Sequence, residues 1–164
     1  MSRLLSLCLL VSTACASAGG GASSESSSAA TPAGAARIDA TFDPSLDVNF
    51  ALMTRTASGL FIRDLQTGSG SPVSFGDQLR VRYRVSLADG TIVDDVGPMD
   101  TPFEFRVGNN AVVDGWDEGV RGMRPGGRRQ LVIPARLGYG MRAHGNIPGN
   151  SILVVVVELL SINR

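Results

Sequence analysis

The sequence has no lysine. Its fifteen cations are all arginine, set against fifteen Asp and Glu, so the formal charge is zero. Lysine-amine chemistry such as Schiff-base formation is therefore excluded. The balance also argues against a nucleic-acid binder, because neutralising many phosphates needs a basic excess. There is one histidine, His144, and there are two cysteines, Cys8 and Cys15, both near the N-terminus. That inventory builds neither a Cys/His zinc site nor a disulfide framework. A Ser–His–Asp triad would have only His144 to use. No P-loop or dinucleotide-binding spacing surrounds Gly126-Gly127. The chemistry left is one that runs without metal, thiol, amine or cofactor.

The 164 residues suit one domain plus a tail. Residues 1–18 read as an export signal: Arg3, a short apolar run (Leu4, Leu5, Leu7, Leu9, Leu10, Val11), then small residues. The run is too short to span a bilayer comfortably. Two cleavage readings stand. Cleavage after Ala18 releases a soluble protein. Cleavage before Cys15 resembles a bacterial lipoprotein signal, with lipid on Cys15 and attachment to the envelope membrane, although Ser12 stands where Leu is usual. Residues 19–36 are almost all Gly, Ala and Ser and read as a flexible linker. Residues 37–57 form a lead-in, either disordered or packed on the domain as a short helix or turn. In the lead-in, Asp43-Pro44 has helix-start chemistry. The domain proper is expected over 58–164.

Within it, Gly59–Leu65 is a strand candidate. The clearest strand is Gln78–Ala88, where Leu79, Val81, Tyr83, Val85 and Leu87 alternate with polar residues that include Arg80, Arg82 and Arg84. Asp89-Gly90 marks a hairpin turn, and Thr91-Ile92-Val93 begins the return strand. Pro102–Val107 is a short strand with Phe103 and Phe105 on one side. Asp114 caps a short helix whose Trp116, Val120 and Met123 share a face. Arg129–Ile133 is a strand. The Val-rich run Ile152–Leu160 reads as a central strand buried on both faces. One helix among five or six strands gives an α+β domain, with a mainly antiparallel sheet and the helix packed on one face.

Read without any family in mind, Trp116 and Tyr83 are core residues and His144 is a solvated loop residue. Asp94 and Asp95 are strand neighbours that point to opposite faces, so they do not form an acid–base pair. The arginines at 80, 82, 84, 121, 124, 128 and 129 read as a solvated charged face.

The order of features changes that reading. It runs Val81-Arg82-Tyr83, Asp89-Gly90 with Asp94, Pro102-Phe103, Val112-Val113-Asp114-Gly115-Trp116, Gly119-Val120, Met123, Gly138-Tyr139-Gly140, Ile147-Pro148, then Val157-Glu158-Leu159-Leu160. This set resembles the FK506-binding-protein family of peptidyl-prolyl cis-trans isomerases, in a bacterial exported form, from about Ser58 to Ile162. The resemblance implies a half-barrel sheet curled around one short helix, with an aromatic-lined pocket between them. It implies Trp116 as the floor under a proline ring and Tyr83, Phe103, Val112, Val113 and Ile147 as walls. The Val113 amide and the Tyr139 hydroxyl would hold substrate carbonyls, and Asp94 would accept a hydrogen bond at the rim. The implied partners are proline-containing unfolded or partly folded proteins and FK506-like macrolides, and the implied location is the periplasm or envelope. The sequence also departs from the family. Val93 and Val155 stand where Phe is usual, Met99 where an Arg often pairs with the Asp94 position, and Val85 where Gly is common. A wider, wetter pocket that keeps binding better than catalysis is the expectation.

Overall fold

The computed structural model describes residue 38 and residues 40–163. The export segment, the linker and Cys15 lie outside the described residues. The described chain forms one seven-stranded antiparallel sheet and one α-helix. In chain order the strands are β1 (Thr54–Arg55), β2 (Phe61–Gln66), β3 (Gln78–Leu87), β4 (Ile92–Val96), β5 (Phe103–Arg106), β6 (Arg128–Ile133) and β7 (Leu153–Asn163). The helix, α1, spans Asp114–Val120. The sheet order is β1-β2-β6-β7-β3-β4, and β5 also pairs with β3. The count exceeds the expected five or six because the lead-in contributes the two-residue edge strand β1.

Period-two alternation decides which face each side chain takes. On β3, Leu79, Val81 and Val85 are buried while Arg80 and Arg84 are exposed. One long strand serves three partners: β7 along one edge, with β5 and then β4 along the other. Register shifts at Arg80/Val81 and Val85/Ser86 sharpen the twist that curls the sheet. The hairpin after β3 closes through Leu87 N–H to Thr91 O at 2.8 Å, with Gly90 at φ +88° taking the left-handed position.

The helix sits in the concave face. It approaches β6 closely because Gly115 and Gly119 face the strand. A Cβ on either would stand 2.5 Å from Ile133 or Leu131 respectively. Trp116, Val120 and Met123 all enter the core, although α1 ends at Val120. The expected cap shifts by one residue: Val113 is the N-cap, without a side-chain bond, and Asp114 is the first helical residue. Asp114 and Asp117 instead place negative charge in the first turn, where the helix dipole favours it. Asp117 also accepts from Gly108 N–H at 3.1 Å. At the other end, Arg129 donates to Gly119 O (2.7 Å) and Arg121 O (3.0 Å) and pairs with Asp64 at 2.6 Å. A cation there meets the negative end of α1.

The convex face is also covered, in part, by the lead-in. Asp43 accepts from Ser45 N–H at the start of a short 3₁₀ turn, Pro44–Leu46. Gln130 Nε2 donates to Leu46 O at 2.6 Å. The Phe50 ring meets Phe61 edge-on at 4.8 Å and Phe42 at 5.5 Å. Beneath this layer Val132 and Val154 are buried although they alternate away from the helix side. β7 lies between β6 and β3, and its inward set Leu153, Val155, Val157 and Leu159 belongs to the core under α1.

Candidate prolyl-binding cavity

Between the concave face and α1 lies a cavity of about 440 Å³. Three elements supply an aromatic cluster at its base. Trp116 of α1 is almost fully buried. Tyr83 of β3 stands edge-on to it at 4.8 Å and 78°. Phe103 of β5 lies 6.5 Å from Trp116 and 5.7 Å from Tyr83. Phe105 backs the indole at 6.1 Å. Edge-to-face contacts of this kind fix ring orientation as well as burying apolar area. The indole N–H is buried and has no acceptor among the described residues.

The structure brings Tyr83, Val93, Asp94, Phe103, Val112, Val113, Trp116, Tyr139, Ile147 and Val155 to line this one cavity. Val112 and Val113 come from the entry to α1, where the Val113 carbonyl accepts from Trp116 N–H at 2.9 Å. Val93 and Asp94 come from β4 and Val155 from β7. Tyr139 and Ile147 come from the loop that precedes β7. Sequence reasoning did not place Val85, Ala111, His144, Gly145, Asn146 and Leu153 in the lining. Two of them were within reach of the pattern: Val85 follows Tyr83 by two on β3, and Leu153 precedes Val155 by two on β7. His144 carried no such signal. It is exposed, as a loop residue should be, yet its ring stacks on Tyr139 at 4.2 Å and 5°. Reciprocal backbone bonds between His144 and Ile147, both 2.9 Å, hold that corner.

At the rim Tyr83 Oη donates to Asp94 Oδ2 at 2.7 Å. Burial first, then the hydrogen bond and negative charge of Asp94, push the Tyr83 phenol above its ordinary range. The phenol is therefore a neutral donor at any physiological pH. Among the described residues no arginine lies within ion-pair distance of Asp94, and Met99 is fully exposed. Asp95 turns the other way and accepts from Arg84 at 3.0 Å. The two neighbouring carboxylates thus sit on opposite faces and share no site.

A larger cavity, about 540 Å³, lies on the convex face between the lead-in and the end of β4. Its lining is charged (Arg82, Arg84, Arg128, Glu158) over an aliphatic floor, and Tyr83 is its only aromatic residue. It offers no flat apolar floor for a ring.

The sequence profile of the FKBP-type peptidyl-prolyl cis-trans isomerase family matches residues 70–160. The chain belongs to this family. FK506-binding protein 2 of Dictyostelium discoideum is 47% identical over 89 residues, covering 54% of this chain and 67% of that protein. FK506-binding protein 4 of Mycosarcoma maydis is 41% identical over 109 residues, 66% of this chain but 29% of the fungal protein. The chain thus spans under a third of that relative's length. The crystal structure of FkpA from Escherichia coli superposes with a TM-score of 0.64 at 34% identity, covering 68% of this chain and 52% of that one. The curled antiparallel sheet around a short helix is the FKBP fold. The matched range takes in all ten cavity residues predicted from sequence and leaves out the lead-in that covers the convex face.

Proposed function

We propose that this chain catalyses cis–trans isomerisation of X–Pro bonds in unfolded or partly folded proteins. The convergence of Tyr83, Phe103 and Trp116 on one cavity of suitable chemistry supports the reading. Rotation about the imide meets a barrier of about 18–20 kcal/mol because it breaks amide resonance. Uncatalysed exchange takes roughly tens to hundreds of seconds. No proton or nucleophile has to be transferred. The twisted imide has less charge separation than the planar one, so an apolar cavity binds the twisted form better. Each 1.36 kcal/mol of that difference is about tenfold in rate. In this reading the proline ring rests on Trp116 between Tyr83, Phe103, Val93, Val112, Ile147 and Val155. The Val113 N–H and the Tyr139 hydroxyl donate to substrate carbonyls, and Asp94 fixes the Tyr83 hydroxyl. FK506-like macrolides would occupy the same cavity.

The protein is further proposed to act after export, on the strength of the signal-like residues 1–18, in the periplasm or envelope of a bacterium. Mass spectrometry of the mature N-terminus distinguishes release after Ala18 from lipidation of Cys15. A second reading, a prolyl-peptide-binding or holdase module with weakened catalysis, is favoured by Val93 and Val155, which replace aromatic wall, and by Asp94, which has no arginine partner among the described residues. Exchange spectroscopy on a proline peptide tests both. Acceleration at micromolar protein, lost in Trp116→Ala, supports the isomerase. Saturable binding without acceleration selects the binding module, and neither effect sinks both.

A further inference from the structure

The convex cavity of about 540 Å³ is lined by a grid of side chains that strand register fixes. Arg128, Glu158 and Arg82 stand side by side on β6, β7 and β3, and Gln130, Val156 and Arg84 form the next row. Neighbours in a row are about 4.8 Å apart at the backbone. Arg84 is neutralised by Asp95 at 3.0 Å, and Asp47 by Arg63 at 3.1 Å. Among the described residues, Arg82, Arg128 and Glu158 have no ion-pair partner. Four buried side-chain polar atoms of the described residues lack a hydrogen-bond partner. Two of them, Arg82 Nε and Gln130 Oε1, belong to this lining. Gln130 is 2% exposed, and its Nε2 donates to Leu46 O at 2.6 Å, so turning the amide over would not satisfy its carbonyl.

A buried donor and a buried acceptor left open beside unpaired charges of both signs say what would complete the lining. The complement carries a carboxylate for Arg82 and Arg128 and a cationic N–H donor for Glu158 and Gln130 Oε1. Leu46, Leu65, Val154 and Val156 add aliphatic surface. Inorganic phosphate would meet the charge of Glu158 and bring the Gln130 carbonyl no cationic donor. A neutral sugar would leave both guanidinium groups without a counter-charge. We infer that this cavity binds an amino-acid zwitterion with an aliphatic side chain, either a free amino acid or a short peptide. The carboxylate sits on Arg82 and Arg128, the ammonium lies between Glu158 and Gln130, and the side chain rests on Val154 and Val156. The site is on the opposite face of the sheet from Trp116 and does not depend on the prolyl-isomerase reading.

The test uses the full chain and the probes leucine, the dipeptide Leu-Leu, N-acetyl-leucine and leucine amide. Calorimetric titration gives saturable binding of leucine or Leu-Leu. Removing one charge, as in N-acetyl-leucine or leucine amide, weakens it roughly tenfold or more. Whichever of leucine and Leu-Leu binds more tightly identifies the source of the zwitterion. In ¹⁵N spectra the Arg82 Nε–H and Gln130 Nε2 signals shift during the titration, and the Trp116 indole N–H signal does not. Arg128→Gln and Glu158→Gln each lower the affinity by a similar factor. The Trp116 indole signal keeps its wild-type position in both variants, which shows that the fold is intact. Absence of saturable binding of both leucine and Leu-Leu up to about 10 mM overturns the site. Equal affinity for all the probes overturns it as well, as do unmoved Arg82 and Gln130 signals at saturation or wild-type affinity in both folded variants.

Discussion

The two faces of the sheet are built from the same strands and put to different uses. On the concave side, β3, β5 and α1 bring Tyr83, Phe103 and Trp116 together and leave a hollow open between them. On the convex side, the lead-in lays Leu46 and Phe50 over the strands, and Val132 and Val154 are sealed beneath. The remaining convex surface carries ion pairs such as Arg80–Glu104 and Arg84–Asp95, all about half exposed. Pairs of that kind contribute at most about 1 kcal/mol each. Under the proposed reading one face holds the chemistry, and the other holds the sheet in shape. The lesson is that aromatic rings line an open hollow where the helix stands over the sheet and serve as packing where the lead-in lies on it.

The largest effect should come from Trp116→Ala. It removes the floor and a core side chain, so stability falls by about 3–5 kcal/mol and acceleration of prolyl exchange is lost. Denaturant titration checks the first and exchange spectroscopy the second. Trp116→Leu separates them by restoring most of the packing without the flat ring. Next is Arg129→Met, which unties α1 from β6 and β2. Three carbonyl and carboxylate partners lose a charged donor, for a loss of about 2–3 kcal/mol in urea denaturation. The cavity above should keep its peptide affinity per folded molecule. Phe50→Ala probes the convex face: about 1–2 kcal/mol of stability, since the ring is only partly buried, with unchanged kcat/KM. If Phe50→Ala slows exchange as much as it lowers stability, the two faces are not separate and the comparison fails.

The smallest effect belongs to Tyr83→Phe. It deletes the bond to Asp94 and leaves the ring, so stability changes by about 1 kcal/mol or less and kcat/KM falls severalfold. Its sharper signature is in pH. The folded-state pKa of Tyr83 is raised, so the folded protein holds the proton more tightly than the unfolded chain does. That stability is fully present below the ordinary phenol range near 10. It is lost as pH rises from there through the folded pKa. Resistance of the wild type to denaturation should fall above about pH 10 more than that of Tyr83→Phe.

Much of the concave face could be read from residues in order. Alternation located β3, the Val-rich run located β7, and the spacing of Trp116, Val120 and Met123 located the helix face. The cavity residues followed from resemblance rather than from periodicity, because a Trp on an apolar helix face is core in most proteins. What stayed illegible depends on contacts between distant segments. Arg129 looked like one of seven solvated arginines, and its burial against Gly119 O, Arg121 O and Asp64 arises only once β2, β6 and α1 meet. His144 reads as a loop residue until the loop folds back and stacks it on Tyr139. The lead-in has helix-start chemistry at Asp43-Pro44, but nothing in it names the convex face as its partner.

Local pattern by itself narrowed the chemistry and set the alternating strands: an inventory without lysine, with one histidine and two distal cysteines, excludes several reaction classes, and a period of two sends Tyr83 and Arg84 to opposite sides. The tertiary structure alone decided which apolar surface stays open. Gly115 and Gly119 let the helix settle on β6, the lead-in closes the reverse side, and the hollow that remains is set by how far apart packed elements are held, a distance no single segment encodes.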